Sequence, residues 1–502
     1  MASRCHYLAL DLGASSGRAM LGGFDGTRLT LEEVHRFENG PVHIHGALYW
    51  DAFRLFEQVR AGIGRCGRRG VKLDGVGIDT WGVDFGLLAR GGELLAMPRH
   101  YRDPRHAAAM GRMLARVPRA DIYERTGIQF LPFNSLYQLA GMAEERAKLP
   151  DVADRLLFMP DLLVYWLTGV AGTEPTIAST SQMLNPRSTR WDFELVERAG
   201  APVRILPGIA NTGTPVGDLT QDVAAEVGQA ARVIRTAGHD TACAVAAVPA
   251  TGGNWAYISS GTWSLVGVEL REPLITPASL AADFTNEVGV GGTIRFLRNV
   301  AGLWLVQEAQ RTWAAAGQHY SWDELARMAE GAPALAAFVD PDDPQFAPPG
   351  DMPARIRAAC AATGQVVPET PGAVVRCALE SLALKVRRVL HTLEALLLRS
   401  LEVVHVVGGG SQNRLLNQFI ADATGKPVIA GPVEATALGN VLIQALGQGR
   451  IGSTAELRQV VAASTALSTF EPRAMAAWED AAGRFERVLA AGGDAGGPGG
   501  RS

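Results

Sequence analysis

The chain has 502 residues, of which 47% are hydrophobic and 20% charged, and its formal net charge is -4. This length predicts two or more domains with sizeable cores, and a near-neutral charge without long charged runs argues against nucleic-acid or anionic-membrane partners. Five scattered cysteines without a CxxC pair favour buried thiols over a zinc site or disulfide framework. Because the N-terminus lacks a signal-peptide pattern and no apolar run is long enough to span a bilayer, we expect a cytoplasmic protein without membrane contact.

The first predicted element is a β-hairpin over residues 7–24, whose turn lies between Asp11 and Arg18. The small Gly, Ala and Ser residues of this turn let backbone N–H groups approach an anion closely. Asp11 can hold a hydrated divalent cation and Arg18 can meet phosphate oxygens, so the hairpin predicts a nucleotide-phosphate site. Two alternatives are an ordinary Gly/Ser turn and the G-x-S-x-G nucleophile elbow of serine hydrolases, which requires a helix after the turn.

The next feature is a candidate surface for binding a sugar. Helical periodicity covers residues 51–66, with Asp51 at the N-terminus, and strand-like runs at 76–79 and 83–88 flank the turn Thr80-Trp81-Gly82. A Trp and the acid Asp84 beside a Gly turn suit a sugar, because the ring offers an apolar face and the carboxylate accepts from hydroxyl groups. A Trp buried in the core is the alternative interpretation.

Asp240 is the candidate general base. Helices are predicted near 104–116, 134–147 and 159–168, and a strand over 233–236 precedes His239, Asp240 and a helix of small residues at 242–247. A carboxylate near a helix N-terminus is favoured in its ionised form, and phosphoryl transfer to a hydroxyl needs a group that accepts the proton. A simple helix cap is the alternative.

The second half of the chain shows a similar pattern of a hairpin followed by helices and strands. A second hairpin is predicted over 255–268, so we expect two related domains, 1–248 and 249–490. A long helix over 372–398 is followed by a strand at 401–407, which ends in a Gly-rich turn at 408–410. The helix 414–423, strand 427–430 and helix 435–446 complete a βαβα pattern. Residues 491–502 are Gly-rich and predicted to be disordered.

The nucleotide prediction depends on three Gly-rich turns together, at 11–18, 259–262 and 408–410, because the chain has no Walker P-loop, GxGxxG or HExxH motif. The stretches 11–18, 238–245, 259–262 and 406–413 resemble the phosphate and adenosine motifs of the sugar-kinase/actin/Hsp70 superfamily.

Within this superfamily the chain resembles the FGGY carbohydrate kinases over residues 5–470. The stretches 77–85, 101–103, 127–134, 299–305 and 430–440 are most similar to members that phosphorylate L-rhamnulose. A Lys of the general FGGY signature is absent from 133–137, which bears on the subfamily rather than on loss of activity.

The resemblance implies an α/β fold of two actin-like (ribonuclease H-like) domains, each with a mixed five-stranded sheet, and a catalytic cleft between them. It implies transfer of a phosphoryl group from ATP, with Mg²⁺, to O1 of L-rhamnulose. The alternative is a kinase for another ketose such as L-fuculose or L-xylulose. A monomer and a dimer are both compatible with the sequence.

The resemblance also implies site residues. Asp240 is the base, and Asp11 lies beside the metal, directly or through water. The implied ATP contacts are Ala14, Ser15, Ser16, Gly17, Arg18, Thr262, Gln307 and Gly409. The implied sugar contacts are Gly82, His239, Asp240, Thr241 and Asn299.

Two other classes compete with the kinase. A sugar-responsive repressor needs a DNA-binding helix-turn-helix, usually N-terminal, yet the first strand begins at Tyr7. An Hsp70- or actin-like assembly ATPase has no use for sugar-facing residues such as Trp81 and Asn299.

Overall fold

The computed structural model of the chain describes residues 4–145 and 147–495. The strands in chain order are β1 Cys5–Leu12, β2 Ser16–Phe24, β3 Leu29–Glu38, β4 Pro41–Ile44, β5 Ala47–Trp50, β6 Gly75–Thr80, β7 Phe85–Leu88, β8 Arg155–Phe158, β9 Leu184–Asn185, β10 Arg190–Trp191, β11 Pro215–Asp218, β12 Arg232–Ile234, β13 Trp255–Ser260, β14 Trp263–Leu270, β15 Thr285–Val288, β16 Ile294–Ala301, β17 Val403–Val407, β18 Val428–Ala430 and β19 Ser468–Phe470.

The helices in chain order are α1 Ala52–Arg68, α2 Arg105–Leu114, α3 Arg119–Thr126, α4 Ser135–Glu144, α5 Leu149–Val152, α6 Met159–Thr168, α7 Pro175–Ser179, α8 Phe193–Arg198, α9 Gln221–Val227, α10 Asp240–Ala246, α11 Pro277–Ala281, α12 Trp304–Ala315, α13 Trp322–Glu330, α14 Met352–Ala362, α15 Pro371–Leu397, α16 Arg414–Thr424, α17 Ala435–Gly447, α18 Thr454–Ser464 and α19 Met475–Ala495. Both predicted hairpins and the long helix of the second half are confirmed. Within the described residues, no helix is long and apolar enough to cross a bilayer.

The chain forms two compact units that are not contiguous in sequence. The first contains the described residues up to Pro249, together with Glu269–Leu297 and Glu434–Thr465. The second contains Ala250–Val268, Arg298–Val433 and the described residues from Ala466 onward. Two segments from the second half of the sequence, Glu269–Leu297 and Glu434–Thr465, thus return to the first unit.

The first unit is organised around a six-stranded sheet in the order β11-β12-β6-β1-β2-β3. β1 pairs antiparallel with β2 and parallel with β6, so Asp11 and Asp79 are register partners. Leu8 and Leu10 of β1 belong to a buried cluster with Leu55 and Val59 of α1. These α1 residues lie one helical turn apart, which gives the helix an apolar stripe against the sheet.

Helix α10, which begins at Asp240, packs closely against α17 of the same unit. A Cβ at Gly439 would lie 1.9 Å from the backbone oxygen of Cys243, so only glycine fits at this crossing. Because the obstacle is main chain, it cannot rotate away as a side chain can.

We expect Gly439→Ala to lower the free energy of unfolding by about 3 kcal/mol, the upper end for overpacking, because α10 must move away from α17. Gly483→Ala in α19 is a matched control: a Cβ there meets nothing within 4 Å, and the better helix propensity of Ala adds up to about 1 kcal/mol. Urea unfolding curves of both variants test this. Equal stability of the two variants would contradict the close crossing.

The second unit contains strands in the order β14-β13-β17-β18-β19, and β13 runs parallel to β17. These five strands are part of a seven-stranded sheet, and the sheet of the first unit has six strands, so the expectation of five strands in each is wrong. Additional edge strands such as β11 and β19 pair antiparallel at the margins. All five cysteines are buried, as predicted.

β7, which follows the Thr80–Gly82 turn, pairs with β8, which comes much later in the chain. One local prediction needs correction. Helix α19 continues to Ala495, five residues into the segment predicted to be disordered from 491. Alanines 490, 491 and 495 favour the helix, while the glycines and Asp494 oppose it. The rest of that segment, 496–502, lies outside the described residues.

Candidate active site

The turn after Asp11 is held by backbone and side-chain hydrogen bonds. Gly13 N donates to Ser16 O at 2.9 Å, and Asn39 Nδ2 donates to Gly13 O at 2.8 Å. Gly17 lies against the ring of Phe37, where a Cβ would have no room. Ser15 at the tip is exposed. Strand β2, not a helix, follows the turn, so the nucleophile-elbow alternative is wrong.

Asp11 is buried at the end of β1, and its charge is met by Arg18. Arg18 Nη2 lies 2.7 Å from Asp11 Oδ2, and its Nη1 contacts Glu434 Oε2 at 2.5 Å. The structure therefore places Arg18 between two carboxylates of the first unit. These two contacts use two of the five N–H donors of the guanidinium, so its predicted contact with phosphate falls to the other three.

Asp79 is a third carboxylate, which the sequence analysis did not assign to the site. It is fully buried at the end of β6, and its Oδ2 accepts from Asn440 Nδ2 at 2.6 Å. No donor in the described part of the chain reaches its Oδ1. Burial raises the pKa of Asp79 well above its usual range, and the negative charges of Asp11 and Asp240 act in the same direction. An acid at the end of a buried strand, as at Asp11, was the available sequence signal.

Asp240 begins α10 and keeps its side chain 29% exposed. Its Oδ1 accepts from Thr241 N at 2.5 Å and from Thr241 Oγ1 at 3.0 Å. Burial raises the pKa of Asp240; the charge of Asp11 adds to this rise, and His239 with the hydrogen bonds from Thr241 opposes it. His239, Asp240 and Thr241 thus form one group with Asp11 and Asp79 in electrostatic reach.

The turn that contains Gly82 has an unusual backbone. Val83 adopts φ 68°, a conformation that β-branched residues rarely take. Its N–H donates to Thr180 Oγ1 at 3.0 Å, and its carbonyl accepts from Ser135 Oγ. Such strain persists where surrounding contacts fix it, as they do here, and clusters at functional sites.

Asp84 does not face a ligand, which corrects its interpretation as an acceptor for sugar hydroxyls. It is fully buried, and its Oδ2 accepts from Trp50 Nε1 at 2.6 Å, Trp81 Nε1 at 2.9 Å and Tyr101 N at 3.1 Å. Its Oδ1 accepts from Gln138 Nε2 at 2.7 Å. Asp84 therefore holds the rings of Trp50 and Trp81 in place and is not itself part of a ligand-facing surface.

Trp81 belongs to a continuous stack of aromatic side chains in the first unit, which we call the aromatic wall. The ring centroids of Trp50 and Trp81 lie 3.9 Å apart, those of Trp50 and His100 4.2 Å, and those of His100 and Tyr101 4.5 Å. Phe133 meets Tyr101 edge-on at 5.6 Å. Trp50, His100 and Phe133 were not singled out from the sequence, because nothing local shows that they meet Trp81.

The remaining predicted residues belong to the second unit. Thr262 lies in the turn between β13 and β14, and its Oγ1 donates to Gln307 Oε1 in the first turn of α12 at 3.1 Å. Gly409 begins a short 3₁₀ turn after β17, where the neighbouring Gly410 lies directly against Ser260. The structure thus brings Thr262, Gln307 and the 408–410 turn together. Asn299 lies in β16.

A closed metal cage is absent from the described residues: no three His, Cys, Asp or Glu side chains are placed together to hold an ion. Mg²⁺ does not require such a cage, because it retains several waters and usually takes only one or two protein carboxylates beside substrate phosphates.

Comparison with known sequences identifies the family. The N-terminal domain of the FGGY family of carbohydrate kinases matches residues 6–247, and the C-terminal domain of that family matches residues 256–447. The chain belongs to the FGGY family of carbohydrate kinases. It is therefore an enzyme of the sugar-kinase class, and ATP is the co-substrate that this family implies.

The FGGY relatives include a rhamnulokinase of Bacteroides thetaiotaomicron, which is 46% identical over 485 residues, covering 96% of this chain and 99% of that protein. A rhamnulokinase of Enterococcus faecalis is 42% identical over 470 residues, covering 93% of each. A rhamnulokinase of Klebsiella pneumoniae is 42% identical over 469 residues, covering 93% of this chain and 94% of that protein.

Solved structures of other kinases share the fold at low identity. Gluconate kinase from Lactobacillus acidophilus has a TM-score of 0.80 at 16% identity, covering 97% of this chain and 98% of that chain. Glycerol kinase from Plasmodium falciparum with ADP has a TM-score of 0.79 at 14% identity, covering 98% of each. The predicted actin-like α/β fold is thereby confirmed.

Proposed function

We propose that this FGGY kinase transfers the γ-phosphoryl group of ATP to O1 of L-rhamnulose, giving L-rhamnulose 1-phosphate and ADP. The observation that carries this proposal is the 46% identity to a rhamnulokinase over nearly the full length of both chains. A kinase for L-fuculose or L-xylulose is the alternative, because side-chain placement around the sugar decides which ketose fits.

The base in this proposal is Asp240. Its carboxylate is partly exposed, its Oδ1 is occupied by Thr241, and its Oδ2 accepts no hydrogen bond within the described residues. A carboxylate that is fixed through one oxygen can take the hydroxyl proton on the other as the new O–P bond forms. Gly82, His239, Thr241 and Asn299 are the proposed sugar contacts.

We assign ATP to the Gly-rich turns. Backbone N–H groups of Ala14, Ser15, Ser16 and Gly17, with Arg18, are proposed to meet its phosphates. Thr262, Gln307 and Gly409 are the proposed nucleotide contacts of the second unit. We place the domain boundary near residue 249, between the two family matches, and we keep the cytoplasmic location as a prediction.

Mg²⁺ fits the residues that are present. Asp11 Oδ2 is taken by Arg18, and Asp79, the register partner of Asp11 on β6, has a buried Oδ1 that no donor among the described residues reaches. We propose that Asp11 holds hydrated Mg²⁺, with the ATP phosphates as further ligands. When bound, the cation would neutralise charge on the transferred phosphoryl group.

We expect Asp11→Asn to raise the KM for Mg·ATP by about 10-fold, the lower end for weakening a metal site, and to leave the KM for the sugar nearly unchanged. Glu434→Gln is the matched control, because it removes the charge of the other partner of Arg18 and leaves Asp11 unchanged. Initial rates over a Mg²⁺ titration measure the effect. Equal KM values for the two variants would assign Asp11 to the positioning of Arg18 instead.

A panel of four ketoses and the polyol glycerol tests the substrate. Purified protein is assayed for ADP release with L-rhamnulose, L-fuculose, L-xylulose, D-xylulose and glycerol. We expect the highest kcat/KM for L-rhamnulose. A higher value for another sugar would overturn the substrate while leaving the kinase class intact.

A further inference from the structure

His239 lies between the proposed base and a buried ion pair, all within the first unit. Its Nε2 is 3.5 Å from Asp240 Oδ1, and its Nδ1 is 3.3 Å from Glu287 Oε2. Glu287 is in turn 3.0 Å from Arg295 Nη1. Nothing in the family roles assigned above involves Glu287 or Arg295.

The ion pair is rigidly built. Glu287 of β15 and Arg295 of β16 are register partners in an antiparallel ladder. Arg295 is fully buried, and its Nε and Nη2 each donate to Val288 O at 3.3 Å. Burial opposes ionisation of Glu287, but the charges of Arg295 and His239 outweigh it and lower the pKa of Glu287 below its usual value. Glu287 therefore carries a negative charge against His239.

The contacts at Nδ1 fix which nitrogen of His239 carries a proton towards Asp240. Arg295 Nη2 lies 3.1 Å from Nδ1 and can donate to it, which leaves the proton of neutral His239 on Nε2. Protonated His239 carries a proton on both nitrogens, and the carboxylate of Glu287, whose Oε2 lies 3.3 Å from Nδ1, balances its charge. In both states an Nε2–H faces Oδ1 of Asp240.

We propose that Glu287 and Arg295 are positioning residues for the phosphoryl-transfer reaction, which hold His239 so that its Nε2–H fixes Oδ1 of Asp240 and leaves Oδ2 to accept the sugar proton. This inference rests on the proposed function. In the step it serves, the sugar O1–H bond breaks and the proton moves to Oδ2. The bond from O1 to the γ-phosphorus forms as the bond from that phosphorus to the bridging oxygen breaks, with its electron pair leaving on ADP.

The test begins with Glu287→Gln, which keeps the shape of the side chain but removes its charge. We expect kcat to fall about 10–100-fold, the scale of a small misplacement of a reacting group, with the KM for ATP unchanged. The acid limb of the kcat/KM profile should move to higher pH, because His239 then opposes the raised pKa of Asp240 less. The charged groups that face His239 are Asp240, Glu287 and Arg295.

Glu287→Gln leaves a buried guanidinium without its counter-charge and can impair folding. Glu287→Asp, which keeps the charge, is the second variant and should restore most of kcat. Glu380→Gln is the matched control: Glu380 is equally buried and pairs with Arg376 at 2.7 Å, so it should lower the melting temperature without changing kcat or the acid limb. A Glu287→Gln enzyme with normal kcat and an unmoved acid limb overturns the proposal.

Nuclear magnetic resonance of histidine-labelled protein distinguishes a failure of this proposal from a failure of the proposed function. The His239 signal is assigned by its loss in His239→Gln. Glu287→Gln should shift the ¹⁵N resonances of the two ring nitrogens of His239, and unchanged resonances overturn the coupling whatever the kinase activity. Shifted resonances in a protein that phosphorylates no ketose support the coupling and overturn the function.

Discussion

Asp240→Asn is expected to lower kcat by about 10²–10⁴-fold, the usual contribution of a positioned general base. A sugar hydroxyl is a poor nucleophile while protonated, and the proton must leave as the O–P bond forms. Asn keeps the size of Asp and can still accept from Thr241 through its amide oxygen, but it cannot take a proton. Sugar affinity should therefore change little, and steady-state kinetics with a direct binding measurement checks both expectations.

The folded state of this variant is confirmed by its melting temperature, since Asp240 also begins a helix. Near-normal kcat in a folded Asp240→Asn protein would reduce Asp240 to a structural role. Asp79, the neighbouring carboxylate with an unpartnered oxygen, would then be the next residue to substitute.

Asp84→Ala is expected to cause the largest loss of stability, at least about 4 kcal/mol, because each buried donor left without an acceptor costs about 1–3 kcal/mol. The substitution removes the acceptor of four donors: the indole N–H groups of Trp50 and Trp81, the backbone N–H of Tyr101 and the amide of Gln138. Denaturant unfolding measures the loss. The KM for sugar should also rise, because Trp81 flanks Gly82.

Asp84→Asn is the matched control, since its amide oxygen still accepts from part of this set, and it should lose less stability. The two proteins should also differ in their pH dependence. Burial raises the pKa of Asp84 to about 7, against the hydrogen bonds that lower it, while the unfolded carboxyl has a pKa of about 3.9. The folded state thus holds a proton that the unfolded state has lost, so this contribution to stability is full below about pH 4 and is lost as pH rises through 7.

The unaltered protein should therefore lose stability relative to Asp84→Asn between about pH 4 and pH 7. A constant difference in unfolding free energy over this range would contradict the raised pKa. An Asp84→Ala protein as stable as the unaltered one would contradict the hydrogen-bonded anchor itself.

Local pattern was enough to predict the elements that carry most of the candidate site. The hairpins β1–β2 and β13–β14 join neighbouring runs through short turns, so their pairing follows from sequence proximity. Asp240 was found because it lies between a strand and a helix of small residues. The Gly turn at 408–410 was found in the same way, after a buried strand.

Long-range pairing explains what the sequence analysis missed. β7 pairs with β8 rather than with the neighbouring β6, and this choice depends on the packing of the whole unit. Segments Glu269–Leu297 and Glu434–Thr465 return to the first unit, which no local composition reveals. Asp84 looked like a surface acceptor because three of its four donors, on Trp50, Tyr101 and Gln138, come from other parts of the sequence.

Large sequence separation also explains why the sequence analysis missed the partners of His239. Glu287 and Arg295 belong to two strands that follow the second hairpin in the chain, and no spacing rule connects them to the His239–Thr241 group. Their role can be inferred only from distances in the folded chain.

The most direct test of the account is the phosphorus spectrum of the sugar product. Protein is incubated with ATP, Mg²⁺ and L-rhamnulose, and ³¹P resonance is recorded with coupling to protons. We predict a phosphate monoester signal split by the two protons on C1, which identifies L-rhamnulose 1-phosphate, and its loss in Asp240→Asn. A signal split by a single proton, or ADP formation without any sugar phosphate, would contradict the account.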